Sequence, residues 1–189
     1  QQQHFKGAII MWALVESGSV SKTYKYPKSL TIGDVQYPRN IFNLWTSSEL
    51  EALNIYNVVV DDSNLKNKSY YNNTDQTIAF SDGVVTASYG TATALDLAKL
   101  KITHCSEVDK IAYSLLLPND WMVVKATETG GSVASAWTTY RAAVRTAAAS
   151  MVTKINAVSD VDALAALYEY NDATPPVRPL GEFPDAPSS

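Results

Sequence analysis

The chain has 189 residues, 46% hydrophobic and 18% charged, enough for one or two small domains with their own cores and too apolar for a disordered segment. A net charge of −4 with a pI near 5.1 provides no electrostatic footprint for nucleic acid. The longest apolar run, 8–15, is too short to cross a membrane, no secretory signal is expected, and the lone Cys105 rules out an internal disulfide.

Residues 8–15 alternate poorly but carry Ile9, Ile10, Trp12, Leu14 and Val15, which predicts a strand of mixed burial. Ser17-Gly18-Ser19 is a turn signal. Lys22–Tyr26 alternates Lys and Tyr as a partly exposed strand would, before Pro27 interrupts it. Ser29–Ile32, Gly33-Asp34 and Val35–Tyr37 read as a further hairpin, so this region forms a small antiparallel ribbon. Thr46 with Glu49 three residues later is a capping box for a short helix over 48–53, and Asn54 is a stop. A buried strand is expected over 55–60, ending at Asp61-Asp62, followed by an exposed Asn-, Asp- and Lys-rich loop to Asp75. Gln76–Phe80 and Val84–Tyr89 around Ser81-Asp82-Gly83 form the clearest hairpin signal.

From Thr93, with Asp96 as a second capping box, the pattern predicts a helix to Leu117. Its apolar stripe is Ala98, Ile102, Cys105, Val108, Ala112 and Leu115. Pro118 ends it, Asn119 is placed to cap the next helix, and Asp120 suits that helix's positive end. Gly130-Gly131 allows a left-handed stop. A long helix then starts near Ser132–Ser135 with Trp137, Tyr140, Val144, Ala148, Met151 and Ile155 on one stripe. A last helix over 160–170 is announced by Ser159 and Asp162. The segment from Thr174 holds five of the eight prolines, so it is expected to be extended and coreless. The fold class is α+β: an antiparallel β-rich module over 1–90, an antiparallel helical bundle or hairpin over 91–173, and a Pro-rich tail over 174–189.

No pattern supports a catalytic residue, a metal site or an organic cofactor. His104 and Cys105 are adjacent, so on a helix they point different ways, and no further ligand accompanies them; Cys105 reads as a small core residue and His4 lies near the terminus. Asp61, Asp62 and Asp75 lack the calcium-loop spacing. The helical region instead holds a candidate lock. Folding back at the glycines brings Trp121 level with Tyr140 and Arg141, and Asp120 within reach of Arg141 or Arg145, which share a face. Trp121, Trp137 and Tyr140 would pack as rings there, and the same group is a candidate partner-binding site. In the tail, Leu180 and Phe183, three apart, are candidates for a docking arm onto a neighbouring chain.

The string from Pro118 to Glu128 (PNDW followed by MVVKATE), followed by Trp137-x-x-Tyr140-Arg141-x-x-x-Arg145, resembles the C-terminal region of phage tail assembly chaperone-like proteins of tailed, especially marine, bacteriophages. The stretches 37–62 and 74–94 are similar to such proteins as well, so the likeness runs from about Tyr37 to Tyr168. The resemblance implies a small non-enzymatic accessory protein that binds a phage tail or tail-fibre protein; a homo-oligomer is a separate expectation, from the candidate docking arm. The resemblance also implies a place in the host cytoplasm during assembly, or in the virion tail. The alternative it leaves open is a structural or receptor-binding component retained in the virion. Neither nucleic acid nor membrane is an expected partner.

Overall fold

The computed structural model describes residues 12–187. The fold is α+β, an N-terminal, mainly antiparallel sheet module followed by C-terminal antiparallel helices. The described residues form two compact units, one of residues up to 68 together with 72–93, the other of 69–71 together with residues from 94 onward.

In the first unit, β1 (Trp12–Glu16) and β2 (Ser19–Tyr24) are joined by Ser17-Gly18, both left-handed at φ 52° and 74°, as a two-residue hairpin of native twist requires. β1 buries four residues in a row because it is covered on both faces. Trp12 and Leu14 enter one cluster with Tyr24, Ile41, Phe42 and Ile55, while Ala13 and Val15 enter another with Val85. Double burial is the reason this stretch alternates poorly in sequence. The first part of that expected strand, with Ile9 and Ile10, and likewise His4, lie outside the described residues.

β3 (Leu30–Ile32) and β4 (Val35–Tyr37) form the expected hairpin, but the single ribbon expected of this region is divided: β3 and β4 make a two-stranded sheet of their own, while β1 and β2 belong to the main sheet. α1 (Ile41–Leu44) precedes α2 (Ser47–Glu51), whose capping box is complete: Thr46 N–H donates to the Glu49 carboxylate at 2.7 Å, and Glu49 N–H donates to Thr46 Oγ1 at 3.3 Å. These bonds hold the Glu49 carboxyl below its ordinary range. β5 (Ile55–Asp61) and, after the polar loop, β6 (Tyr71–Asn72), β7 (Gln76–Ser81) and β8 (Val84–Tyr89) complete the strands up to residue 89. The main sheet has the order β2-β1-β5-β8-β7, antiparallel except for β5 beside β8, where Val58 lies opposite Val85. Its curl brings β2 towards β7.

β9 (Thr93–Ala94) pairs with β6. The second unit is built on α3 (Leu97–Leu116) and α5 (Ser135–Ala157), with α4 (Asp120–Thr129) and α6 (Val161–Ala166) as shorter additions. α3 and α5 run antiparallel: Val108 shares a cluster with Met151 and Ile155, and Ala112, one turn further on, shares one with Tyr140 and Val144. The expected α5 stripe faces the core, but α3 starts later than expected, because Asp96 is itself the cap, accepting from Lys99 N–H at 3.1 Å. Ile102, expected on the α3 stripe, is 71% exposed; α3 is covered along its Val108–Ala112 edge. α6 is likewise capped by Asp160, which accepts from Ala163 N–H at 2.7 Å, while Ser159 donates to the Asp160 side chain. The C-terminal carbonyls of α5 are met by a cation: Lys101 Nζ donates to Asn156 O at 2.9 Å and Val158 O at 2.8 Å.

Candidate functional site

Between α3 and α4 the backbone passes through one 3-10 turn, Leu117–Asn119, with Pro118 inside it. The proline removes one backbone donor and crowds the preceding turn, so the last α3 carbonyls lose their usual partners. Side chains replace them. Asn119 Nδ2 donates to Leu115 O at 3.0 Å, and Arg141 Nη1 donates to Leu116 O at 3.1 Å. Arg141 also donates to Asn119 Oδ1 and, through Nη2, to Asp120 Oδ1 at 2.6 Å. Asn119 is thus spent on the α3 carbonyl and on Arg141, and it does not cap α4 as the sequence led us to expect. Arg141 is 8% exposed, so its charge is neutralised by geometry: one carboxylate, one amide oxygen and one helix C-terminal carbonyl, all acceptors.

By sequence Asp120 can pair with either Arg141 or Arg145; the structure pairs it with Arg141. Arg145 is exposed and donates back to Arg141 O at 3.4 Å. The ring part of the expected lock is different. Tyr140 meets Trp137 edge-on, centroids 5.8 Å apart, and both pack beside Ala112 and Val144. Trp121 is 56% exposed, and the ring contact expected between it and Tyr140 is not made; its neighbour is the Lys125 ammonium, 5.8 Å from its centroid. The reason is angular. Arg141 takes Asn119 and Asp120, and the next residue on a helix turns about 100° away from that face.

α4 therefore buries none of its residues. It ends at Gly130, left-handed at φ 67°, whose N–H and that of Gly131 return to Ala126 O, as the Gly-Gly signal predicted. Trp121 and Val124 are exposed, as are Leu117 in the 3-10 turn and Tyr113 near the end of α3. Beside them Trp121, Met122, Lys125, Val133, Ala134 and Trp137 line a groove of about 320 Å³.

The tail expectation is overturned. Leu180 is 3% exposed and lies in the helical core with Met151, Ile155 and Leu164; Phe183 packs half-buried against the same clusters. Leu180 N–H donates to Leu167 O at 2.9 Å, and Lys154 Nζ donates to Pro179 O and Leu180 O at 2.8 and 3.1 Å. Arg178 pairs with Glu182 at 2.7 Å beneath the rings of Tyr168 and Tyr170, 5.9 and 5.5 Å away, and the Tyr170 hydroxyl donates to Glu182. The prolines exclude helix but not burial. A strap needs only side chains at the right places and partners for its backbone.

His104 is an aromatic spacer, parallel to Tyr70 at 5.9 Å and tilted to Tyr168 at 4.8 Å, with Nδ1 3.7 Å from Glu107. Burial pushes the Tyr168 phenol up to about 12 and raises the Cys105 thiol, which is half-buried against the same core. A raised thiol has less thiolate and less nucleophilic character. Among the described residues no group of three His, Cys, Asp or Glu side chains could hold a metal ion, and no helix is long and apolar enough to cross a membrane. Comparison with protein-family models, with curated proteins and with solved structures finds no match.

Proposed function

We propose that this chain is a non-enzymatic phage tail or tail-fibre assembly protein, and that it binds another tail protein through the outward face of α4. The observation that carries this reading is a ten-residue helix that buries no side chain yet presents Trp121 and Val124 to solvent. A helix this short is marginal in water, and helices in proteins owe most of their stability to packing of an apolar face. Here the Arg141 lock and the Gly130 stop hold the helix while leaving that face open. Tryptophan is the residue type most enriched among binding hot spots, and the adjacent groove offers a seat for a partner side chain. The phage context comes from the resemblance of Pro118–Trp121 and Trp137–Arg145 to the tail assembly family.

Copy number separates assembly from structure. In cells producing the phage that encodes the chain, it is expected bound to tail protein in assembly intermediates and scarce in finished particles. A fixed stoichiometric copy number in finished particles, with none on intermediates, would make it a retained tail component.

A further inference from the structure

The chain is acidic overall, yet Ser19–Ile32 carries Lys22, Lys25 and Lys28 and no carboxylate. Two of these lysines, Lys22 and Lys28, line a groove of about 340 Å³ beside β2 and the β3–β4 ribbon, together with Tyr24, Ser29, Thr31 and Gln36. The strand geometry explains the grouping. Lys22 and Tyr24 are two apart on β2 and share a face, and Thr31 and Gln36 are cross-strand partners in the ribbon. Tyr24 is a core residue packed against Phe42, ring centroids 5.6 Å apart, so this wall is fixed by the interior. The Lys28 ammonium lies 5.6 Å from the Tyr24 ring centroid, which holds it over the groove. Neither Lys22 nor Lys28 takes part in an ion pair among the described residues.

We infer that this groove binds a phosphate group, either free phosphate or the head of a small phosphorylated molecule. Two unpaired cations in one concavity reinforce each other's potential, and an anion relieves their repulsion. The remaining polar lining consists of hydroxyls and one amide, which donate to oxygens approaching from several directions. No arginine lines it, so the cations available are lysines, which bind phosphate as point charges. Burial first, and the charge of Glu16 second, push the Tyr24 phenol above its ordinary range, so it stays neutral beside the anion. The volume is at the small end of ligand sites, which fits a phosphate head.

The test is a backbone-amide NMR titration of the full chain with inorganic phosphate and, separately, with glucose 6-phosphate, against sodium chloride at matched ionic strength. Saturable shifts confined to the Lys22–Gln36 region are expected for phosphate-bearing probes and not for chloride. The probe that saturates at lower concentration identifies the source, free phosphate or a phosphate ester. Lys22→Gln and Lys28→Gln should each weaken binding about tenfold or more, the usual scale of a charge-assisted hydrogen bond. Lys25→Gln, exposed and outside the groove, should leave it within about twofold. All three lysines are exposed, so the variants should fold. Equal shifts with chloride, shifts linear in phosphate, or equal losses for all three variants would overturn the site. The result is independent of whether α4 binds a tail protein.

Discussion

The segment 174–187 and helix α4 lie in the same unit and divide two properties that usually travel together. The segment has neither helix nor strand, yet it places Leu180 in the centre of the core and holds it with Lys154, Leu167 and the Arg178–Glu182 pair. α4 is a regular helix with a left-handed glycine stop, yet none of its side chains is buried. Regular backbone and core membership are thus separate outcomes, the first set by propensity and caps, the second by which side chains find a partner surface. The contrast predicts where stability resides and where it does not.

The largest effect should come from the irregular segment. Leu180→Ala leaves a cavity between α5 and α6 and should cost about 2–5 kcal/mol. Deleting 174–189 should cost at least as much and lower the thermal midpoint, since it also uncovers Met151 and Ile155. A truncated chain with an unchanged midpoint would return the segment to the status of a free arm.

Arg141→Ala should come next, at about 1.5–3 kcal/mol, the range for hydrogen bonds to a charged group, because it strands Leu116 O and the buried Asn119. The Asp120 end is half-exposed and loses less. Arg141→Lys restores the charge without the fork and should recover only part of the loss in a denaturant titration. Full recovery would mean that charge alone matters at the bend.

Alkaline pH should bear on the strap's side of the core. The Tyr168 phenol is raised from an ordinary 10.0 to about 12, first by burial and then by Tyr70 and Glu107. Its contribution is fully present below pH 10, where both states keep the proton. Between pH 10 and about 12 the unfolded chain releases the proton first, so stability falls as pH rises. Tyr168→Phe should flatten that fall without changing stability much at neutral pH. An identical slope in both proteins would assign it to other tyrosines.

Much of the local structure was legible because it rests on short-range chemistry. The Thr46–Glu49 box, the Asp82-Gly83 turn and the Gly130 stop each depend on residues within one turn of one another. The α5 stripe was legible from its period. What was not legible depended on long-range competition. Asn119 is a good cap by type, but Arg141, twenty-two residues later, takes its oxygen. Trp121 looks like a core residue by type, but the bend that Pro118 and Arg141 set turns it outward. Tyr70, in a polar loop, fills a place in the helical core beside Val108 and Leu164, and only the proximity of two aromatic residues in that loop hinted at it. Local signals named the elements; which faces are covered was decided by residues far apart in the chain.

The smallest change in stability should be Trp121→Ala, and it is the sharpest test of the contrast. A buried tryptophan would cost about 3–5 kcal/mol on truncation. This one is mostly exposed, and its only ring neighbour among the described contacts is Lys125 on its own helix, so about 0.5 kcal/mol or less is expected. Binding should respond in the opposite sense. If α4 is the docking face, Trp121→Ala should weaken association with tail protein by a hot-spot amount, about 2 kcal/mol or more, while the chain remains folded. Val124→Asp should do the same by placing a charge on the apolar stripe, again with little cost in stability because Val124 is exposed. A large loss of stability for Trp121→Ala would show that α4 turns its tryptophan inward in solution. An unchanged denaturant midpoint with unchanged binding would leave the exposed face without a role in association and move the search for the partner surface elsewhere on the chain.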